Sequence, residues 1–271
     1  MTHFRVISIH GAPRSGTSWL GKIFDSHPDV AYRFQPLFSY RFKGIINADS
    51  TPDDVHNFLD KLYAVNDDEF ILQQPQIARG AHPPAFKKNA SPGVMVMKEV
   101  RYHYVIPTLL KAVPGIKIIG LVRHPCGAIN SWLKAPREFL PEWNVMTEWH
   151  DAPAKNQGRR EEYYGFTRWK ELARQFLTMQ QENTNSFYLV HYDLLVSNLE
   201  EEILKLFDFC DLDVPDQVEN FLHASQQSEI EDADSVFRTP GVSERWKAEL
   251  NPVVRNAIYD ELQGTDLEIF L

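Results

Sequence analysis

Cysteine is nearly absent: 271 residues carry two thiols, Cys126 and Cys210. Two cannot build a disulfide framework and their separation matches no metal-ligand spacing, so both are expected as buried thiols of helices, with a reducing cytoplasm as the default compartment. Long apolar runs are missing too. No stretch approaches the roughly 18 residues of a membrane helix, and the run from Phe4 to Ile9 is too short for a signal sequence, so a soluble chain is expected. Positive charge is in deficit, with 28 Lys and Arg against 37 Asp and Glu and a formal charge of −9. A general nucleic-acid binder carries the opposite balance. A small anion held by a few local bases is still open. No cluster has metal-ligand spacing, so no metal is expected. Internal repeats and low-complexity tracts are also lacking.

What is present suits one globular unit. The 43% hydrophobic content fills the core of a single sizeable α/β domain, expected over residues 1–271. Phe4–His10, Val94–Lys98, Ile116–Val122 and Phe187–Tyr192 read as strands. Helices are expected over Thr17–Ser26, from Pro52 to about Tyr63, over Tyr102–Ala112 (bent or begun at Pro107), Pro125–Lys134, Arg159 to about Gln181, Asn198–Phe209, Pro215–Ala224 and Pro252–Leu262. Thr51-Pro52-Asp53-Asp54 is a helix start, with an N-cap, proline at the first helical position and acids at the positive end of the dipole. Long loops are expected at about 32–50, 73–93, 135–158 and 225–242. Strands alternating with helices predict a parallel sheet covered on both faces, with ligands beyond the carboxyl ends of the strands.

Gly11-Ala12-Pro13-Arg14-Ser15-Gly16-Thr17-Ser18 follows a strand and opens a helix. Such a loop aims backbone N–H groups at a phosphate, with the hydroxyls of Ser15, Thr17 and Ser18 as further donors. A nucleotide-triphosphate loop would have lysine where Thr17 stands. Here the cation comes earlier, at Arg14, and no strand ends in the aspartate of a Walker B motif. A second anchor follows the strand at 116–122. Arg123 supplies a fork of donors matched to phosphate, and Ser131 lies within roughly 10 Å of the start of the next helix, so both can face one anion.

The string PRSGTSWL followed by DSHPDV resembles the 5′-phosphosulfate loop of the sulfotransferases that use 3′-phosphoadenosine 5′-phosphosulfate (PAPS). The arginine form of the loop is similar to the carbohydrate and tyrosylprotein branches, in a soluble, bacterial-like form. Arg123 with Ser131 resembles the family's 3′-phosphate site, and Tyr192-Asp193-Leu194-Leu195 another landmark, with Asp193 expected to bond local backbone. Arg238 and Trp246 lie where the family often closes a loop over the nucleotide. The resemblance runs in order from residue 4 to about 209. It implies a P-loop-like three-layer α/β/α fold and transfer of a sulfuryl group from PAPS to an acceptor hydroxyl, with release of PAP. Arg14, Ser15, Gly16, Thr17, Ser18, Arg123, Ser131 and Arg238 would then bind the cosubstrate.

In-line transfer needs positive charge on the departing phosphate and a base for the acceptor proton. Arg14 with the loop amides suits the first role, and Lys98, at the end of its strand, joins them. The related branches carry a glutamate as base where this chain has Gln35, which cannot accept a proton. Glu99 is the expected replacement if the strand has ended before it, with His103 and His124 as alternatives. Gln35, Arg33 and His103 are candidate acceptor contacts. The acceptor, a small molecule or carbohydrate bearing a hydroxyl, is not readable, nor is the oligomeric state; no nucleic acid or membrane partner is expected. Two other readings stand beside this one. A P-loop-type nucleotide-dependent phosphotransferase is opposed by Thr17 and by Arg123 with Ser131. A non-catalytic PAP(S)-binding protein is kept open by Gln35.

Overall fold

The computed structural model describes residues 3–227, 230, 232, 235–237 and 240–271. Five strands, β1 (Arg5–Gly11), β2 (Val30–Phe34), β3 (Val94–Glu99), β4 (Lys117–Val122) and β5 (Phe187–His191), form one sheet in the order β2-β3-β1-β4-β5. Every neighbouring pair is parallel; Ile9 of β1 lies opposite Lys98 of β3 and Ile119 of β4.

Side chains alternate between the two faces of a strand, and both faces here are apolar. One collects Ile7, Ile9, Val94, Val96, Ile119 and Leu121 against the helices Thr17–Asp25 and Leu199–Phe209. The other collects Val6, Met95, Met97, Ile118 and Val122 against the helices Pro52–Tyr63 and Phe166–Glu182. That doubly covered parallel sheet is the expected α/β/α arrangement. Because β1 sits between β3 and β4, the loops leaving β1 and β4 emerge side by side at the carboxyl edge. In open parallel sheets this is where ligands bind.

Several local expectations are corrected. Val30–Phe34 is an edge strand paired with β3, although residues from 32 onward read as irregular. Val30, Tyr32 and Phe34 join one core cluster, and an arginine in a five-residue segment hides that alternation. Short helices occupy the expected loops at Gln74–Ala78, Val145–Asp151 and Pro153–Asn156. The long helix starts at Phe166 instead of Arg159, because Gly165 at φ 85 breaks the chain there. A Cβ on Gly165 would lie 2.7 Å from the His150 carbonyl oxygen. Tyr192 begins a helix, Tyr192–Ser197, instead of ending β5. Pro107 marks a start and not a bend: a single 3₁₀ turn, His103–Val105, leads into Ile106–Ala112. Cys126 and Cys210 are buried free thiols.

Candidate functional site

The loop after β1 is built to face an anion. Gly16 caps the helix Thr17–Asp25 at φ 93 with no side-chain hydrogen bond, and Arg14 is also left-handed at φ 69. Only glycine fits at Gly16 in any case, since a Cβ there would fall 2.3 Å from the Tyr192 ring. The first N–H groups of the helix are thus left for a ligand.

Above this loop opens a cleft of about 610 Å³. It is walled by Arg14, Gly16, Thr17 and Ser18 from the loop, Gln35 and Lys98 from the ends of β2 and β3, and Arg123 and Ser131 from the β4 side. The structure thereby brings together most of the residues singled out from sequence. Arg14 Nε donates to Ser131 Oγ at 3.3 Å, and Arg123 Nη1 donates to the Arg14 carbonyl at 3.1 Å. Arg123 Nη2 donates to the Ser243 carbonyl at 3.4 Å, and its guanidinium lies 4.9 Å from the Tyr192 ring centre. Arg123 Nε is buried with no hydrogen-bond partner among the described residues. Among the described lining residues, Arg14, Lys98, Arg123, Lys134 and Arg245 outnumber Glu138, Asp232 and Glu249. The cleft is locally basic in an acidic chain, which suits a polyanionic ligand.

Lys98 is 1% exposed, with Nζ 4.3 Å from the Phe34 ring centre. Burial pulls its pKa down to about 7, against the opposing charge of Glu99. Gln35 sits in the left-handed region at φ 41, immediately before Pro36. Its N–H donates to the Lys98 carbonyl at 2.7 Å and its Oε1 accepts from Arg101 at 3.1 Å.

Five expected residues stand elsewhere. β3 runs through Glu99, so strand parity turns that carboxylate to the face opposite Lys98. Glu99 Oε1 accepts from the Leu37 N–H at 2.8 Å, and burial pushes its pKa up to about 8. It does not line the cleft. Arg33 likewise faces the opposite layer and donates to the carbonyls of Leu62 at 2.9 Å and Tyr63 at 2.6 Å, satisfying the end of the helix Pro52–Tyr63. That helix end, not an acceptor, claims its charge. His103 is buried beside His10, Nδ1 to Nδ1 at 3.1 Å, and burial first, then His10, holds its pKa well below the usual imidazole range. Ser15 is buried beneath the loop, and its Oγ has no partner among the described residues. His124 caps the helix Pro125–Leu133 by accepting from the Cys126 N–H at 3.2 Å. Burial brings its pKa down to about 4, and it stacks on Trp246 at 4.3 Å. Arg238 lies outside the described residues.

Other cleft residues were not singled out as ligands from sequence. Trp19, Asn130, Lys134, Glu138, Tyr192, Arg245 and Trp246 are among those that extend the wall. Of these Tyr192 and Trp246 had a signal in landmark segments, whereas Glu138 had none. Asp193 bonds distant rather than local backbone: it accepts from the His124 N–H at 3.0 Å, 69 residues away along the chain, and so ties the helix Tyr192–Ser197 to the start of the helix Pro125–Leu133.

Known proteins share this construction. A Caenorhabditis briggsae protein provisionally assigned as a protein-tyrosine sulfotransferase is 21% identical over 223 residues, covering 79% of this chain and 68% of that one. The mouse sulfotransferase SULT7A1, solved in complex with PAP, superposes at TM-score 0.53 and 15% identity, covering 95% of this chain and 82% of that one. A sulfotransferase from Alicyclobacillus acidocaldarius superposes at TM-score 0.50 and 15% identity, covering 100% and 99%. At such identity the superpositions speak for the fold. The family itself is fixed by the sequence model of the sulfotransferase family, which matches residues 7–216, from the first strand past the Tyr192 wall. With the glycine loop, Arg123 and Tyr192 all inside the matched span, this chain belongs to the sulfotransferase family.

Proposed function

We propose that the cleft binds PAPS between the 11–18 loop and Arg123, and that the protein transfers its sulfuryl group to an acceptor hydroxyl, releasing PAP. The observation that carries this reading is that two neighbouring strand ends bring Arg14 and Arg123 into one cleft, where Arg14 donates to Ser131 and Arg123 to the Arg14 carbonyl. PAPS carries phosphate at both ends of its ribose, and two guanidinium groups beside a glycine loop match that spacing of charge better than one triphosphate. The loop amides, Arg14 and Lys98 would take the charge that grows on the departing phosphate. Arg123, with its unpartnered Nε, and Ser131 would hold the 3′-phosphate.

The acceptor side of the cleft lies around Gln35 and Glu138, and its polar wall suits a small molecule or carbohydrate hydroxyl. Among the described residues no helix is long and apolar enough to cross a membrane; the scarcity of cysteine favours a reducing, cytoplasmic setting, and residues 1–271 are read as one catalytic domain. The test is thermal unfolding with PAP, PAPS, ATP and GTP, followed by transfer from radiolabelled PAPS to a hydroxyl panel. PAP at about 100 times its dissociation constant should add roughly 2.7 kcal/mol. Equal protection by ATP would overturn the reading.

A further inference from the structure

We infer that Glu138 is the general base of the transfer, taking the acceptor proton in a cleft where Gln35 can take none. The inference rests on the PAPS reading above. Three described residues bring carboxylates to the cleft wall: Glu138, Asp232 and Glu249. Two of them are already committed. Asp232 pairs with Arg79 at 2.7 Å, and Glu249 accepts from Asn130 at 2.8 Å and pairs with Lys134 at 3.0 Å. Glu138 Oε2 is buried with no hydrogen-bond partner among the described residues. An unpartnered carboxylate oxygen on a residue that lines a ligand cleft is available to a donor that arrives with the ligand.

The backbone holds that carboxylate in place. The Glu138 N–H donates to the Ala135 carbonyl at 2.9 Å, and its own carbonyl accepts from Trp132 Nε1 at 3.4 Å. Trp132 is itself buried, so a short, anchored turn after the helix Pro125–Leu133 fixes the position. The charges facing Glu138 come from several elements: Lys98 at the end of β3, Arg101 just after it, Lys155 of the helix Pro153–Asn156, and the Tyr164 hydroxyl. The competing candidates face elsewhere: Glu99 the far layer, His103 its partner His10, and His124 the amide it caps.

In the step, the acceptor O–H bond breaks and its proton passes to Glu138 Oε2. The oxygen's electron pair forms the new O–S bond. The bond from sulfur to the 5′-phosphate oxygen breaks, and its electron pair leaves on PAP, beside Arg14 and Lys98. Protonated Glu138 then returns its proton to solvent.

The experiment compares wild type, Glu138→Gln and Glu138→Asp. PAP affinity is read by calorimetry. Transfer from radiolabelled PAPS is read with phenol, with 4-nitrophenol and with water as acceptors, across pH. PAP affinity should hold in both variants. Transfer to phenol and water should fall about 10²–10⁴-fold in Glu138→Gln, with part of it recovered in Glu138→Asp. Transfer to 4-nitrophenol, which arrives largely ionised, should fall far less, and the acid limb of the pH profile should vanish in Glu138→Gln. Undiminished transfer to phenol and water would overturn Glu138 while leaving the PAPS reading intact. Equal losses for all acceptors, together with weakened PAP binding, would make Glu138 structural. A wild type that neither binds PAP nor consumes PAPS would instead remove the PAPS reading, and this inference with it.

Discussion

Arg101 holds the Gln35 side chain by its carbonyl: Nη1 donates to Gln35 Oε1 at 3.1 Å, while Nε and Nη2 are committed to Glu162 and Tyr164. The amide nitrogen of Gln35 is therefore what it can offer an acceptor, as a donor. Glutamate at this position would lie against the same guanidinium, which would keep it ionised. In a Glu138→Gln background, Gln35→Glu should recover at least about tenfold of the lost turnover, by restoring a base from the other wall. Gln35→Ala in the same background should recover nothing. Single-turnover rates with radiolabelled PAPS decide between them.

Glu99 makes stability depend on pH. Its folded pKa is raised from 4.5 to about 8, chiefly by burial. The unfolded chain loses that proton near 4.5, and the folded protein keeps it to about 8. Folding therefore loses stability from this group as pH rises through that window. Glu99→Gln keeps the oxygen that accepts from Leu37 and removes the titration. The variant should gain on wild type progressively between pH 5 and 8, as urea midpoints at a series of pH values will show. Its PAP affinity should not change, because Glu99 does not reach the cleft.

Gly16→Ala combines a left-handed backbone with an intruding methyl. At φ 93, with the Tyr192 ring 2.3 Å from the ideal Cβ, either the loop or the ring must move. The expected loss is about 1–3 kcal/mol of stability, together with a smaller thermal shift on adding PAP. Melting curves with and without PAP separate the two effects.

Arg33→Ala should behave in the opposite way. Its guanidinium serves the carbonyls of Leu62 and Tyr63 and never enters the cleft. Its removal should cost about 1–3 kcal/mol in folding and leave PAP affinity and turnover untouched, by denaturant titration and calorimetry.

The donor half of the cleft could be read from sequence because its chemistry fixes residue types close together along the chain. Gly11 to Ser18 needs glycines and hydroxyls in one turn, and Arg123 follows an unmistakable buried strand. The acceptor half could not. Whether Glu99 or Lys98 enters the cleft depends on where β3 stops, and one residue of strand reverses the answer. Arg33 looked like a ligand because the helix end that claims it is chosen by packing, 29 residues away. Glu138 belongs to no motif and becomes visible only when the turn after Leu133 brings it to the wall of the cleft that Lys98 also lines. Val30–Phe34 passed unnoticed because its single arginine masks a five-residue alternation.

The hydrogen bond from Arg123 to the Ser243 carbonyl bears on the order of events during synthesis. β1, β3 and β4, the centre of the sheet, are complete once Val122 has emerged. Tyr192, which packs on Gly16, and Ser225, which accepts from Trp19 at 3.0 Å, come much later. A chain leaving the ribosome can thus close its central strands well before Arg123 meets its last partner. PAP cannot help the early sheet to form, because its pocket does not yet exist. It can only trap the finished wall, so a stalled chain ending before Ser243 should fold its centre and yet gain less protection from the nucleotide than the whole chain does.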